Sequence, residues 1–307
     1  MAKILIATEK PFAPAAVDGI KDIAQKANFE VVLLEKYDSK DQLLSAVADV
    51  DAMIIRSDKV TKEVIEAGKN LKIVVRAGAG YDNVDLESAT ANNVVVMNTP
   101  GQNSNAVAEL AIGMMVFLAR GGFNGKAGSE LKGKTIGIHA YGNVGKYVAK
   151  IAKGFDMKVC AYDPFANKGA VEKDGVKFID SAEELYRTCQ YVSLHIPAND
   201  KTKKSIGYDL LKSMPKNGVL VNTARKEVID EEGLVKAMEE RNDLHYISDI
   251  APDNKDVFAG KFDGRFFFTP KKMGAQTSEA NINAGIAAVK QIINFINDGD
   301  TTFQVNK

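Results

Sequence analysis

The chain has little of what would tie it to a membrane, a metal or an oxidising compartment. Its 307 residues include two cysteines, Cys160 and Cys189. Two cannot build a disulfide framework, and both fall in or beside strand-like runs, which reads as buried free thiols in a reducing cytosol. There are three histidines, none spaced with a second ligand, which argues against zinc. The longest apolar run, residues 106–119, contains Glu109 and is shorter than the ~20 residues a membrane span needs. At the amino terminus only residues 4–7 form an apolar core, too short for a signal peptide. Net charge is missing too: 40 Lys and Arg face 40 Asp and Glu, so no global field draws the chain to nucleic acid or an anionic membrane surface. Local basic pockets stay open, and a cytoplasmic protein is expected.

What the chain does have is alternation. Hydrophobic residues make up 45% and charged residues 26%, the balance of a globular rather than a disordered chain. At ~150 residues per domain the length predicts about two domains. Short β-rich runs at residues 3–7, 31–34, 52–55, 73–75 and 94–97 are separated by helix-like stretches at 16–27, 40–48, 61–67 and 86–92. Strands alternating with helices predict a parallel sheet joined by right-handed crossovers. Residues 104–120 are apolar on nearly every side, which predicts a buried helix, and 121–134 is a polar, glycine-rich connection. A second series of strands follows at 135–139, 158–162, 176–179, 191–194, 218–221 and 244–248. The fold class expected is therefore α/β, with two doubly wound parallel-sheet domains, the second of about six strands. Ile282, Ile286, Val289, Ile293 and Ile296 make one apolar stripe of a late helix expected to pack back on the first domain. Residues 301–307 read as a short β-like tail.

One turn carries chemistry. The strand at 135–139 runs into Ala140-Tyr141-Gly142-Asn143-Val144-Gly145 and then a helix, and Asp163 closes the next strand, 18 residues after Gly145. This is the context of a dinucleotide fingerprint. Gly142 lets backbone approach a pyrophosphate, and Gly145 allows close helix–sheet packing. Asn143 and Val144 open a helix whose free N–H groups and partial positive charge favour an anion. Asp163 would accept hydrogen bonds from ribose hydroxyls. The first glycine of the usual G-x-G-x-x-G is Ala140 here, and a tight turn without a ligand could use the same two glycines. The strand, the helix and the acidic terminus together favour a cofactor. Asp163 repels a 2′-phosphate, and Pro164 and Phe165 bring no cation to bind one, so NAD is favoured over NADP.

Further motifs are RAGAGYDNVD at 76–85, VMNTP at 96–100, LKGKTIGI at 131–138, SLHIP at 193–197, and VNTAR at 221–225 followed by Ile229-Asp230. In order and spacing they resemble the D-2-hydroxyacid dehydrogenase family over essentially the whole chain. Ile55-Arg56-Ser57, the loop at 76–85 and MNTPGQNS at 97–104 are most similar to the short-form branch that oxidises D-3-phosphoglycerate. The resemblance implies a flavodoxin-like substrate domain of residues 1–97 plus 281–307 and a Rossmann NAD-binding domain of residues 98–280. It implies an NAD-dependent enzyme with a small-molecule substrate, no metal, and assembly as a homodimer.

Roles follow where motifs match. Arg225 matches the catalytic arginine, whose planar fork can grip carboxylate and carbonyl oxygens at once. Asp249 matches the aspartate that holds the nicotinamide amide. Thr223 and Ala224 match positions that meet the cofactor through the backbone. Ile196, Asn143, Val144 and Ala79 match further cofactor contacts, Ala79 alone coming from the substrate domain. Arg56 and Arg76 match the arginines that meet the substrate phosphate, with Ser57, Gly78, Ala79 and Gly80 beside them. His195 is tempting as a base, but its motif resembles a loop near the adenine end, and a structural role is expected.

The chain departs from the family at its catalytic pair. The usual glutamate, five residues after the aspartate matched by Asp249, is Asn254. The usual histidine falls in Thr269-Pro270-Lys271-Lys272-Met273-Gly274. Counting back from Gly274 puts Lys272 in its place; counting forward from Pro270 gives Lys271. Lys272 is preferred, because the Met-Gly-Ala-x-Thr side is better anchored. The two losses fit together: a carboxylate beside lysine would hold its proton on, the wrong direction for a base near neutral pH. The reading is therefore oxidation of D-3-phosphoglycerate to 3-phosphohydroxypyruvate, with Lys272 taking the hydroxyl proton. Two alternatives use the same residues. One is a hydroxypyruvate, glyoxylate or other D-2-hydroxyacid reductase; the other is an NADH-sensing protein like the corepressors of this fold.

Overall fold

The first five strands form one parallel sheet in the order β2-β1-β3-β4-β5. They are β1 (Lys3–Thr8), β2 (Glu30–Glu35), β3 (Ala52–Ile55), β4 (Ile73–Arg76) and β5 (Val95–Asn98), alternating with helices α1 (Pro14–Lys26), α2 (Lys40–Val47), α3 (Lys62–Ala67) and α4 (Leu86–Ala91). The strands look as parallel strands covered on both faces must: residues 4–7, 52–55 and 73–75 are all fully buried. The order is that of flavodoxin-like sheets. The structure is a computed structural model that describes all residues, Met1–Lys307.

The second series begins with the helix α5 (Ser104–Ala119). It continues through β6 (Thr135–His139), α6 (Asn143–Gly154), β7 (Lys158–Tyr162), α7 (Lys168–Lys173), β8 (Lys177–Phe178) and α8 (Ala182–Thr188). Then come β9 (Tyr191–Leu194), α9 (Tyr208–Ser213), β10 (Val219–Asn222), α10 (Glu231–Glu240), β11 (His245–Ser248), α11 (Lys255–Lys261) and β12 (Phe266–Phe268). The sheet is wholly parallel, in the order β12-β11-β10-β9-β6-β7-β8, so its direction of winding reverses between β6 and β9. Its seventh strand, β12, is absent from the sequence reading. Three consecutive phenylalanines show no polar–apolar alternation; they pair with β11 from Tyr246–Phe266 onward, with Phe268 packed on the Tyr246 ring at 5.6 Å. Cys160 and Cys189 are buried, free thiols. No helix is long and apolar enough to cross a membrane.

The chain divides into Met1–Asn103 with Gln276–Lys307, and Ser104–Ala275. The sequence places these junctions at 97/98 and 280/281. The loop after β5 stays with the first unit because Thr99 N–H donates to the Gly78 carbonyl and Asn98 Nδ2 donates to the Ala79 carbonyl. The last helix, α12 (Ser278–Asp298), starts with Thr277 Oγ1 accepting the Ala280 N–H and stops at Gly299 in the left-handed region, φ 70°. Its Ala284, Ala288, Val289 and Ile292 share a core with Ala16, Val17, Ile20 and Ala24 of α1. Each fully buried valine or isoleucine here contributes roughly 1.5–3 kcal/mol, and a Cβ on Gly285 would already press Ile20 at 3.0 Å. The tail is not a strand. Gln304 makes one antiparallel bridge with Met97, and the Asn306 side chain does the pairing: Oδ1 accepts the Val96 N–H and Nδ2 donates to the Val94 carbonyl.

Candidate active site

The residues singled out in the second unit come from separate stretches of chain but share one edge of the sheet, its carboxyl end. In sheet order they follow β12 (Lys272), β11 (Asp249), β10 (Thr223, Ala224, Arg225), β9 (Ile196), β6 (Gly142, Asn143, Val144, Gly145) and β7 (Asp163). This is the edge where open α/β sheets bind ligands, and the β6/β9 reversal is the point where such sheets open a crevice.

At that reversal Ala140 takes φ 78°, rare for a residue with a side chain, and its N–H donates to the Tyr162 carbonyl. A Cβ on Gly145 would collide with the Ala140 carbonyl oxygen, so only glycine lets α6 come this close. Gly142 is the opposite case. A Cβ there would meet nothing within 4 Å, and no side chain caps the N–H groups of the first turn of α6. Open space beside uncapped N–H groups is what a pyrophosphate requires, and the chain fits a dinucleotide here. Asp163 is held by the same turn: Oδ2 accepts the Tyr141 N–H at 2.8 Å and Oδ1 accepts the Phe165 N–H at 2.8 Å. Further along, the buried Thr223 hydroxyl has no partner in the protein.

The β10 end carries the chemistry. Asn222 frames its loop, Oδ1 accepting the Ala224 N–H and Nδ2 donating to the Arg225 carbonyl, both at 3.0 Å. Arg225 is exposed, and its Nη1 donates to the Ala224 carbonyl at 3.0 Å. Lys272 Nζ donates to that same oxygen at 3.2 Å. The two cationic heads thus lie within about 6 Å of each other. Lys271 is exposed, and its carbonyl is bound by the Thr269 hydroxyl. The Asp249 carboxylate accepts from Thr269 Oγ1, the Met273 N–H and the Gly274 N–H. Asn254 brings no carboxylate, and nearby Glu231 is committed to the backbone N–H groups of Asp253 and Asn254. Asn222 and Thr269 frame the site but have no role in the sequence reading. Asn222 carried a signal, a polar residue at the end of a strand run where a side-chain-braced turn starts; Thr269 carried none, because its strand was not read.

The two remaining histidines of the motifs lie under this edge. Burial pushes His139 down to about 4, with Tyr186 Oη 3.3 Å from its Nδ1. Burial, and then His139, push His195 down to about 3, with its Nε2 3.0 Å from Ser193 Oγ. A group this reluctant to take a proton braces the strand ends.

The first unit holds the other candidates. Arg56 follows β3, and its guanidinium is engaged by the protein itself. Nη1 donates to the carbonyls of Lys10 and Pro11, Nη2 donates to Asn281 Oδ1, and the group lies over the Phe12 ring at 5.2 Å. Burial draws its pKa below the ordinary value, against the pull of Asp58. Arg76 Nε donates to the Arg56 carbonyl at 3.0 Å. The Arg76 guanidinium lies over Gly78, where any Cβ would overlap Nη1. Residues 78–80 are fixed from β5 by Asn98 and Thr99, and Asn98 in turn accepts from Gln291 Nε2 of α12. Ser57 is exposed beside a cavity of about 430 Å³ lined also by Glu9, Tyr37, Lys40 and Lys59.

Comparison with known proteins shows the family of the chain. Residues 112–259 match the NAD binding domain of D-isomer specific 2-hydroxyacid dehydrogenases. The chain is 35% identical to the D-3-phosphoglycerate dehydrogenase of Methanocaldococcus jannaschii over 95% of its own length, but spans 57% of that protein. It is 34% identical to the hydroxypyruvate reductase of Thermotoga maritima, covering 86% of this chain and 90% of that one. Among solved structures, NAD⁺-bound 3-phosphoglycerate dehydrogenase of Entamoeba histolytica is 53% identical, with a TM-score of 0.85 over 100% of this chain and 99% of that one. With an NAD-binding sheet edge and relatives matched over most or all of its length, the chain belongs to the D-isomer specific 2-hydroxyacid dehydrogenases.

Proposed function

We propose that the chain oxidises D-3-phosphoglycerate to 3-phosphohydroxypyruvate with NAD, the opening step of serine synthesis. The observation that carries the proposal is the meeting of Arg225 Nη1 and Lys272 Nζ on the Ala224 carbonyl. NAD, when bound, supplies the hydride acceptor. Arg225 holds the substrate carboxylate and polarises the oxygen on C2, for which its two-pronged fork is suited. Lys272 takes the hydroxyl proton. The N–H groups at 142–145 receive the pyrophosphate and Asp163 receives the adenosine ribose. Ile196, Thr223 and Ala224 line the path between.

Arg76 and Arg56, with Ser57 and the loop at 78–80, receive the phosphate. Arg56 already has three acceptors within the protein, so its contribution is expected to be partly structural. A steady-state assay with NAD and a panel of 2-hydroxy acids, with and without phosphate, tests the substrate. Faster turnover of glycerate or lactate than of D-3-phosphoglycerate would reject it. A second reading, reduction of hydroxypyruvate or glyoxylate, draws on the 34% identity to a hydroxypyruvate reductase over nearly that enzyme's full length. The same panel, run in reverse with NADH, decides between them.

A further inference from the structure

Asp249 stands just past β11 with 1% of its surface exposed, and one short segment takes up its carboxylate. Oδ1 accepts from the Thr269 hydroxyl at 3.0 Å and from the Met273 N–H at 2.9 Å; Oδ2 accepts from the Gly274 N–H at 2.8 Å. The Thr269 hydroxyl also lies 2.9 Å from the Lys271 carbonyl oxygen. One hydroxyl proton serves only one of these two acceptors at a time, so the Met273 and Gly274 N–H groups are the fixed anchors of the segment and Thr269 is a shared one. Gly274 completes the fit, since a Cβ there would stand 2.9 Å from Asp249 Oδ2, closer than side chains tolerate. Hydrogen bonds to a carboxylate are the strong kind, and here they converge on the few residues that carry one lysine. At its other end that lysine reaches the oxygen that also binds Arg225.

We infer that Asp249 is a positioning residue for Lys272, holding the main chain of 269–274 so that the ammonium meets the Arg225 loop. The inference rests on the reading of Lys272 as proton acceptor. A base works only within hydrogen-bond reach of its proton, and a misplacement of ~1 Å can cost about a hundredfold in rate. The carboxylate at this sheet end has a task in the protein alone, whatever it meets in the cofactor.

The test is a double-mutant cycle on the full chain. Asp249→Asn, Thr269→Val and Lys272→Met are made singly, and the first two are each combined with the third. kcat with NAD and D-3-phosphoglycerate is measured for each, together with NADH affinity by nicotinamide fluorescence. Asp249→Asn should lower kcat about ten- to a hundredfold, and whatever it costs in NADH binding should be the same factor with Lys272 present or replaced. Thr269→Val keeps the carboxylate but removes one of its donors, so it should move kcat the same way by less. In the Lys272→Met background Asp249→Asn should cost little more, because the two act as one unit. Losses of kcat that multiply would assign the carboxylate to the cofactor and overturn the inference. Full kcat in Asp249→Asn beside a crippled Lys272→Met would overturn it alone. Full kcat in Lys272→Met would overturn the lysine reading and the positioning with it.

Discussion

The carboxyl edges of the two sheets are finished differently. In the second unit the edge is left open: space stands beside Gly142, and the first turn of α6 is uncapped. In the first unit the arginines and Asp58 interlock, although Thr8, Glu35 and Thr99 at the strand ends each keep a buried oxygen without a partner. Arg56 ties Lys10, Pro11 and Asn281 together, Arg76 leans on the Arg56 carbonyl, and Asp58 accepts from Glu9, Arg56 and Tyr37. An open edge can lose a group with little harm to the fold, and the loss shows in ligand affinity or rate. An interlocked edge cannot, because each group also holds its neighbours.

The largest effect expected lies on the open edge. Lys272→Met should cut kcat by ~10²–10⁴, the usual weight of a general base, with NADH affinity and melting temperature nearly unchanged. Lys271→Met should do far less, since Lys271 contributes only its carbonyl to the loop. A crippling Lys271→Met beside a harmless Lys272→Met would reverse the assignment.

Next come the arginines of the interlocked edge. Arg76→Ala and Arg56→Ala should each raise KM for phosphoglycerate roughly ten- to a hundredfold, the range of a lost charge-assisted bond of ~1.5–3 kcal/mol. Unphosphorylated acids should be affected much less. Arg56→Ala should also lower the melting temperature, because three carbonyl or amide acceptors and the Phe12 face lose their partner together. If Arg56→Ala melts like wild type, the tie it makes is slack and the contrast between the edges is overstated.

The glycines sharpen the comparison further. Gly142→Ala adds a methyl group where the protein has nothing within 4 Å, so thermal stability should hold while NADH binding weakens by about tenfold, the weight of ~1.4 kcal/mol. Gly145→Ala and Gly78→Ala should destabilise outright, one against the Ala140 carbonyl and the other through a backbone φ of 153° that side chains rarely adopt. Unchanged NADH affinity in Gly142→Ala would mean that the space beside it is not where the pyrophosphate lies.

How much of this could be read from the sequence depends on which signal was local. The dinucleotide turn is local, and Gly142, Gly145 and Asp163 fall where their spacing placed them. β12 was not legible, because Phe266, Phe267 and Phe268 carry no polar–apolar period and become a strand by pairing with β11. The engagement of Arg56 was not legible either, because its partners lie 46, 45 and 225 residues away. The choice between Lys271 and Lys272 stayed open in the sequence because an inserted residue leaves counting ambiguous. In space the ambiguity narrows, since Lys272 Nζ is the amine that reaches the Arg225 loop.

The smallest effect concerns acid, and it too divides the units. All three histidines, His139, His195 and His245, lie in Ser104–Ala275, and burial lowers the pKa of each; the first unit has none. A histidine held neutral in the fold takes up its proton first in the unfolded chain. As pH falls below the ordinary 6.5 the unfolded state therefore binds more protons, and stability drops until the folded value is reached, about 4 for His139. Between pH 6.5 and 5 that one residue should remove about 2 kcal/mol, and His195 acts in the same direction. Most carboxylates stay ionised over this range, so the loss should be confined to the second unit. Amide hydrogen exchange followed by mass spectrometry at pH 7 and pH 5, corrected for intrinsic rates, should show faster opening of segments in Ser104–Ala275 than in Met1–Asn103. His139→Phe keeps the apolar volume and removes the titration, so it should flatten the difference. Equal acceleration in both units, or no response to His139→Phe, would show that the acid sensitivity does not come from this strand end.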